Sequence, residues 1–87
     1  MFHKIKKIEA KEDFILSAVF CDGTIKEYDV KPLFVELPVF NDLKTVQGLF
    51  EQVKVDAGGY GISWNDELDL ACEELWLKGQ CVEEKRC

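Results

Sequence analysis

The chain has few basic residues for its acidic content. Its 87 residues include 11 Lys and Arg against 17 Asp and Glu, which gives a formal charge of −6. Because clustered Lys and Arg provide most of the sequence-independent affinity for phosphate backbones, this balance argues against direct binding of DNA or RNA. Long apolar runs are also missing. No stretch approaches the roughly 18 apolar residues that a membrane span needs, so we expect no membrane insertion.

Targeting signals are missing as well. The first residues, "MFHKIKKIEA", contain lysines but neither an apolar core segment nor a small-residue cleavage site, so a secretory signal is not expected. We therefore predict a cytoplasmic location. In a reducing compartment the four cysteines (Cys21, Cys72, Cys81 and Cys87) are expected to be free thiols.

The sequence has little that resembles catalytic or zinc-binding machinery. There is no CxxC pair, and His3 is the only histidine. A general base at that position would need a nucleophile and an orienting acid from elsewhere in the chain. We expect no catalytic residues, no cofactor and no enzymatic activity.

The length accommodates one domain. We predict that it spans residues 1–79 and is followed by a polar tail, 80–87, whose composition favours disorder. The segment "DFILSAVF" alternates as a strand and is apolar on both faces, which is typical of an inner strand. The preceding segment is a weaker strand candidate, because Ile5 and Ile8 share a face only if a β-bulge lies between them.

The next residues predict a hairpin and a short connection. Asp22 and Gly23 have the composition of a two-residue type I′ turn, which would place Ser17 opposite Tyr28 and Ala18 opposite Glu27. Asp29 can then cap a short helical turn. Pro32 suits the first positions of that turn, and Pro38 would end it.

A short amphipathic helix is predicted in the middle of the chain. Leu43, Val46, Phe50 and Val53 recur at helical spacing, and Gly48 limits the length of the helix.

A second hairpin and a C-terminal helix follow. Gly58 and Gly59 permit the turn between "VKVD" and "GISW", and Trp64 is expected in the core. Asp69 is the predicted N-cap of a helix over "LACEELWLK", which Gly79 terminates. The whole predicts an α+β fold: a small antiparallel sheet built from two hairpins plus an N-terminal strand, with one short middle helix and one C-terminal helix.

The acidic segment after Trp64 has two interpretations. Asp66, Glu67 and Asp69 could bind a hard cation through carboxylate oxygens or perform acid/base chemistry. The segment lacks the fixed ligand register of a calcium loop, and each residue also has a structural role, since Asn65 and Asp66 suit a turn and Asp69 a cap. We favour a turn and a cap over a metal site.

The ordered segments "F-DGTIKEYDVKPL", "LFEQVKVDAGGYGISWNDELDL" and "EELW" resemble a small prokaryotic family, the domain of unknown function 2442, over roughly residues 4–77. The matching residues are Phe20, Asp22, Gly23, Asp29, Phe50, Val53, Trp64 and Asp69. Family members commonly carry Pro or Asn and Gly between the Trp and the Asp, where this chain has Asn65, Asp66, Glu67 and Leu68. The resemblance implies a small α+β fold with an antiparallel sheet, no established enzymatic activity and no assigned functional residues.

The resemblance also implies a context. Relatives are often encoded beside another small family suspected of toxin-like behaviour, and some are fused to helix-turn-helix domains. The leading hypothesis is therefore a non-enzymatic module that binds a partner protein through a sheet edge or apolar patch, as an antitoxin-like protein would. The acidic surface suits a small basic partner. The alternatives are an accessory transcription regulator acting only in complex, and a small-molecule or metal-binding domain using the Asp66–Asp69 loop. Homodimerisation through a free sheet edge stays open.

Overall fold

Two antiparallel sheets and three short helices make up the fold. The computed structural model describes residues 3–82. The strands are β1 (Ile5–Lys11), β2 (Ile15–Phe20), β3 (Ile25–Asp29), β4 (Lys54–Val55), β5 (Gly61–Ser63), β6 (Asp69–Ala71) and β7 (Gln80–Cys81). The helices are α1 (Lys31–Glu36), α2 (Asp42–Thr45) and α3 (Cys72–Lys78), and 3₁₀ turns lie at Glu12–Phe14, Pro38–Asn41, Phe50–Gln52 and Ala57–Gly59.

The predicted α+β class and both predicted hairpins are confirmed. The hairpins belong to two sheets rather than to the single sheet predicted, with strand orders β1-β2-β3-β7 and β4-β5-β6, because β4 and β5 pair with β6 and not with the first hairpin. The inner position predicted for β2 is also confirmed. Both sheets contribute to one apolar core, to which β2 supplies Leu16, Ala18 and Phe20, and β5 supplies Ile62.

The N-terminal strand contains the β-bulge that its sequence requires. Ile5 pairs with Phe20 and Lys7 pairs with Val19, so Lys6 is an extra residue on β1. As a result Ile5 is buried and Ile8 is partly buried against the same core. The lysines of β1 remain exposed.

The register predicted for the first hairpin is wrong by one residue. Ser17 pairs with Glu27, and Leu16 pairs with Tyr28. The loop has three residues rather than two, because the Gly23 N–H donates to the Phe20 carbonyl oxygen (2.9 Å) and the Phe20 N–H donates to the Thr24 carbonyl oxygen (2.8 Å). Gly23 has a φ of +93° and forms the bulge that follows a type I turn. This shift turns the Tyr28 side chain to the buried side of the sheet.

The helices differ more from expectation. Asp29 supports α1 as predicted, since its carboxylate accepts the Lys31 N–H (2.9 Å), although the residue at the N-cap is Val30. The predicted middle helix is limited to α2, and Val46 is half exposed beyond its end. Gly48 has a φ of +82°, which a helix does not allow, so Phe50 is buried from a separate 3₁₀ turn.

Asp69 is not the N-cap of the last helix. It begins β6, where it pairs with Ser63, while Leu70 pairs with Ile62 in the core. The helix begins at Cys72, and its N-cap is Ala71, which makes no side-chain cap. Gly79 ends the helix as predicted, and its N–H donates to the Leu75 carbonyl oxygen (2.9 Å).

The prediction of free thiols is confirmed for two cysteines and wrong for a third. Cys21 and Cys72 are free thiols, the first exposed and the second buried. Cys81 is disulfide-bonded, so its predicted free thiol is wrong. Disulfides depend on which Cβ atoms the fold brings within about 4 Å, and sequence spacing does not reveal this. The prediction for Cys87 lies outside the described residues. Most of the predicted tail, 83–87, also lies outside them, but its first two residues, Gln80 and Cys81, form β7.

Candidate functional site

An acidic cleft lies where β3, α1, α3 and β7 meet. Its volume is about 370 Å³. Among residues 3–82, four acidic residues and one lysine line it, together with the apolar residues Ile15, Pro32 and Leu33. The acidic residues are Glu27, Asp29, Glu36 and Glu74, and the lysine is Lys78.

Aromatic packing holds α3 in place as one wall of the cleft. The Trp76 ring meets the Phe20 ring edge-on, with 5.0 Å between centroids, and stacks on the His3 ring at 3.7 Å. Lys26 of β3 lies over the same indole at 4.3 Å, and its Nζ donates to the Trp76 carbonyl oxygen. The position of α3 relative to β3 is therefore set by several independent contacts.

The opposite wall is α1, which is fixed by Leu33 in the core and by a cluster around Lys31. The Lys31 Nζ lies 3.1 Å from an Asp29 oxygen and 3.2 Å from an Asp13 oxygen, and it also donates to the Asp13 carbonyl oxygen. The hydrogen bond to Asp29 raises the pKa of Lys31, so this cation stays charged at neutral pH. The charge of Asp29 is thus already compensated from within the chain.

Tyr28 and Glu74 connect β3 to α3 across the floor of the cleft. The Tyr28 hydroxyl donates to Glu74 Oε2 at 2.8 Å. Burial raises the pKa of Tyr28 above its ordinary value, and the hydrogen bond to Glu74 adds to this effect. The phenol therefore remains a neutral donor to Glu74, which lines the cleft.

The remaining two carboxylates are electrostatically unbalanced. Within residues 3–82, neither Glu27 nor Glu36 takes part in an ion pair. Both are exposed at the mouth of the cleft. The cleft is consequently a local concentration of negative charge in a chain that is already acidic.

Exposed apolar side chains adjoin these charges along the chain. Val35 and Leu37 flank Glu36, and they are 84% and 47% exposed. Leu77 precedes Lys78 on the other wall and is 75% exposed. Here we call Val35, Leu37 and Leu77 the apolar rim. An acidic cleft with exposed apolar residues next to its lining residues in the sequence can bind a cationic group and bury apolar surface near it.

The residues predicted as a possible metal site lie elsewhere. Asp66 and Glu67 are exposed in the loop between β5 and β6, and Asp69 is exposed on β6. Asn65 shapes that loop, because its Oδ1 accepts the N–H groups of Glu67 and Leu68, each at 2.9 Å. Among residues 3–82, no group of three or more His, Cys, Asp or Glu side chains is placed to hold a metal ion.

The predicted structural residues have clear roles. The Asp22 carboxylate accepts the Thr24 N–H at 2.9 Å in the first hairpin loop. Trp64 is buried, and its Nε1 donates to the Phe50 carbonyl oxygen at 3.0 Å. Gly58 and Gly59 turn the second hairpin with φ values of +82° and +80°. These interactions explain the segments in physical terms without assigning them a chemical function.

Sequence reasoning did not find the cleft. Glu27 and Glu36 come from the consecutive elements β3 and α1, but Glu74 comes from α3, far along the chain from both. The one available signal was the net charge, which indicated an acidic surface but not its location.

One known protein family matches nearly the whole chain. The family model described as protein of unknown function (DUF2442) matches residues 5–80. The chain belongs to this family. The matched range contains every residue that lines the cleft, and the resemblance predicted from the sequence is confirmed for DUF2442. No curated protein and no solved structure gives a match. In the part of this DUF2442 chain that the structure describes, no helix is long and apolar enough to cross a membrane.

Proposed function

We propose that the chain is a non-enzymatic protein-interaction module that binds a small basic partner protein, as the antitoxin-like member of a pair would. The observation that carries this proposal is the cleft, which four acidic residues and one lysine line among residues 3–82. Binding there neutralises charge at Glu27 and Glu36, which make no ion pair with any residue between 3 and 82.

The apolar rim supports a protein as the partner. Binding energy in protein interfaces is concentrated in a few side chains that become fully desolvated, and the surrounding residues exclude water. Val35, Leu37 and Leu77 are available for such burial beside the charged cleft. The formal charge of −6 would in addition speed the encounter with a basic protein, in a manner that salt weakens.

A cytoplasmic location is part of the proposal. The exposed free thiol of Cys21 suits a reducing compartment, whereas a disulfide at Cys81 is unusual there. Mass spectrometry of the protein alkylated at the moment of cell lysis measures both states directly. A cytoplasmic pool found after cell fractionation would support the location, and a periplasmic or secreted pool would contradict it.

The function is tested by affinity capture of the tagged protein from its host's lysate, with mass spectrometry and a size measurement on the eluate. We expect a stoichiometric small basic protein that is lost from the variant Glu27→Gln/Glu36→Gln. The matched control is Asp66→Asn/Glu67→Gln, which removes the same charge from an exposed loop outside the cleft. A clean monomer or homodimer with nothing attached, or equal capture by both variants, would contradict the proposal.

A further inference from the structure

The chain itself supplies a cation to the cleft, the ammonium group of Lys78. Lys78 Nζ lies 3.4 Å from Glu74 Oε2, the same oxygen that accepts the Tyr28 hydroxyl. Lys78 reaches it from the next turn of α3, and its side chain is 63% exposed, whereas that of Glu74 is 27% exposed. Glu74, which accepts the Tyr28 hydroxyl, thus pairs with a more exposed lysine at the edge of the cleft.

This ion pair is easily replaced. Exposed pairs four residues apart on a helix contribute little stability, because solvent screens them and both side chains lose rotamer freedom. The lysine ammonium also makes only the one contact to Glu74 within the described residues. Glu36 and Glu27, which line the same cleft, pair with no cation in the described part of the chain.

An arginine side chain fits this arrangement better than Lys78 does. A guanidinium presents five N–H donors in a plane and can bond more than one carboxylate, whereas an ammonium acts as a point charge. The three methylenes of arginine can lie against the apolar walls at Ile15, Pro32 and Leu33 while the head group reaches the carboxylates.

We propose that an arginine side chain of the partner enters the cleft and displaces Lys78 Nζ from Glu74. This inference rests on the proposed function and specifies the partner's contact residue. Lys78 then acts as an internal competitor, which shields Glu74 in the free protein and lowers the affinity for any incoming cation.

The proposal is tested with N-acetyl-arginine amide as the probe, titrated into ¹⁵N-labelled protein and followed by amide chemical shifts. N-acetyl-lysine amide and the uncharged N-acetyl-citrulline amide are the comparison ligands. We expect shifts around the cleft with arginine, weaker binding of lysine and no response to citrulline. The absence of shifts with arginine up to its solubility limit, or equal binding of lysine, would overturn the proposal.

Two pairs of variants identify the residues involved. Lys78→Met keeps the aliphatic stem and should tighten arginine binding roughly two- to fivefold, the range expected when one exposed ion pair no longer competes. Lys54→Met makes the same change of charge on an exposed residue of β4 and should have no effect. Glu36→Gln should weaken binding by a similar factor, and Glu67→Gln should not. An unchanged affinity in Lys78→Met, or equal effects within either pair, would refute the displacement.

Failure of this inference is distinguishable from failure of the proposed function. If the captured partner binds wild type and Lys78→Met equally but is lost from Glu27→Gln/Glu36→Gln, the chain is a partner-binding module and the arginine displacement is refuted. If the arginine amide binds as expected but no partner is captured, the displacement is supported and the proposed function fails.

Discussion

Replacing Tyr28 by Phe should change how the stability of the protein depends on pH. The Tyr28 side chain is 4% exposed and donates to Glu74 at 2.8 Å, and burial with this hydrogen bond raises its pKa. In the unfolded chain the phenol titrates near its ordinary pKa of about 10. Above that pH the unfolded state loses the proton first, so the folded state binds more protons and stability falls as pH rises.

The magnitude follows from linkage. If the folded phenol stays neutral, the unfolded state at pH 10.5 gains about 0.8 kcal/mol from ionisation of this one group. At pH 8 that contribution is absent, and Tyr28→Phe is expected to be less stable than wild type by about 1 kcal/mol, because it loses one hydrogen bond. The variant should therefore nearly match wild type at pH 10.5.

The assay is urea unfolding followed by far-ultraviolet circular dichroism at pH 8 and pH 10.5, for wild type and Tyr28→Phe. Taking the difference between the two proteins cancels the titration of lysines and other groups that both share. If the free energies of unfolding of the two proteins fall in parallel between these pH values, the conclusion that Tyr28 is buried and neutral in the floor of the cleft is refuted.

Four further substitutions test the fold in urea unfolding. Trp64→Phe should cost about 2 to 3 kcal/mol, because it leaves a cavity and deprives the Phe50 carbonyl oxygen of its donor; a loss below about 1 kcal/mol would argue against that packing. Gly48→Ala and Gly59→Ala each place a side chain at a positive φ, which should cost about 1 kcal/mol of stability in both variants. At Gly59 the new Cβ would in addition lie 2.6 Å from a backbone oxygen of β1, whereas at Gly48 it would meet no atom within 4 Å. Gly59→Ala should therefore cost about 1 to 3 kcal/mol more than Gly48→Ala, and equal losses would contradict the contact between this turn and β1. Asp69→Ala should change stability by less than about 0.5 kcal/mol, because Asp69 is an exposed strand residue; a loss of about 1 kcal/mol or more would indicate the helix cap instead.

Local chemistry predicted much of the secondary structure. The alternation of β2, the turn at Gly23 and the bulge in β1 are properties of short segments, and each was found. The register of the hairpin was not predicted, because Asp22-Gly23 suits both a two-residue loop and a three-residue loop with Gly at the bulge. The choice between them follows from burying Tyr28, which depends on the other elements that pack against β3.

Asp69 illustrates a second limit. Its position before an apolar, helical pattern suits an N-cap, and the residues after it do form a helix beginning at Cys72. The pairing of Leu70 with Ile62 requires an extended backbone at Asp69, and this pairing exists only because β5 lies beside it. Tertiary pairing therefore overrode the local preference.

The sequence by itself determined the α+β class, the family, the hairpins and the acidic character of the surface, because these depend on composition and on patterns within short segments. Only the tertiary structure decided where the negative charge is concentrated. Glu27, Glu36 and Glu74 form one cleft because α1 and α3 are fixed on either side of β3 by contacts among residues far apart in the chain, among them Trp76 with Lys26. Contacts between residues far apart in the chain are set by tertiary packing, and the periodicity of the sequence does not encode them.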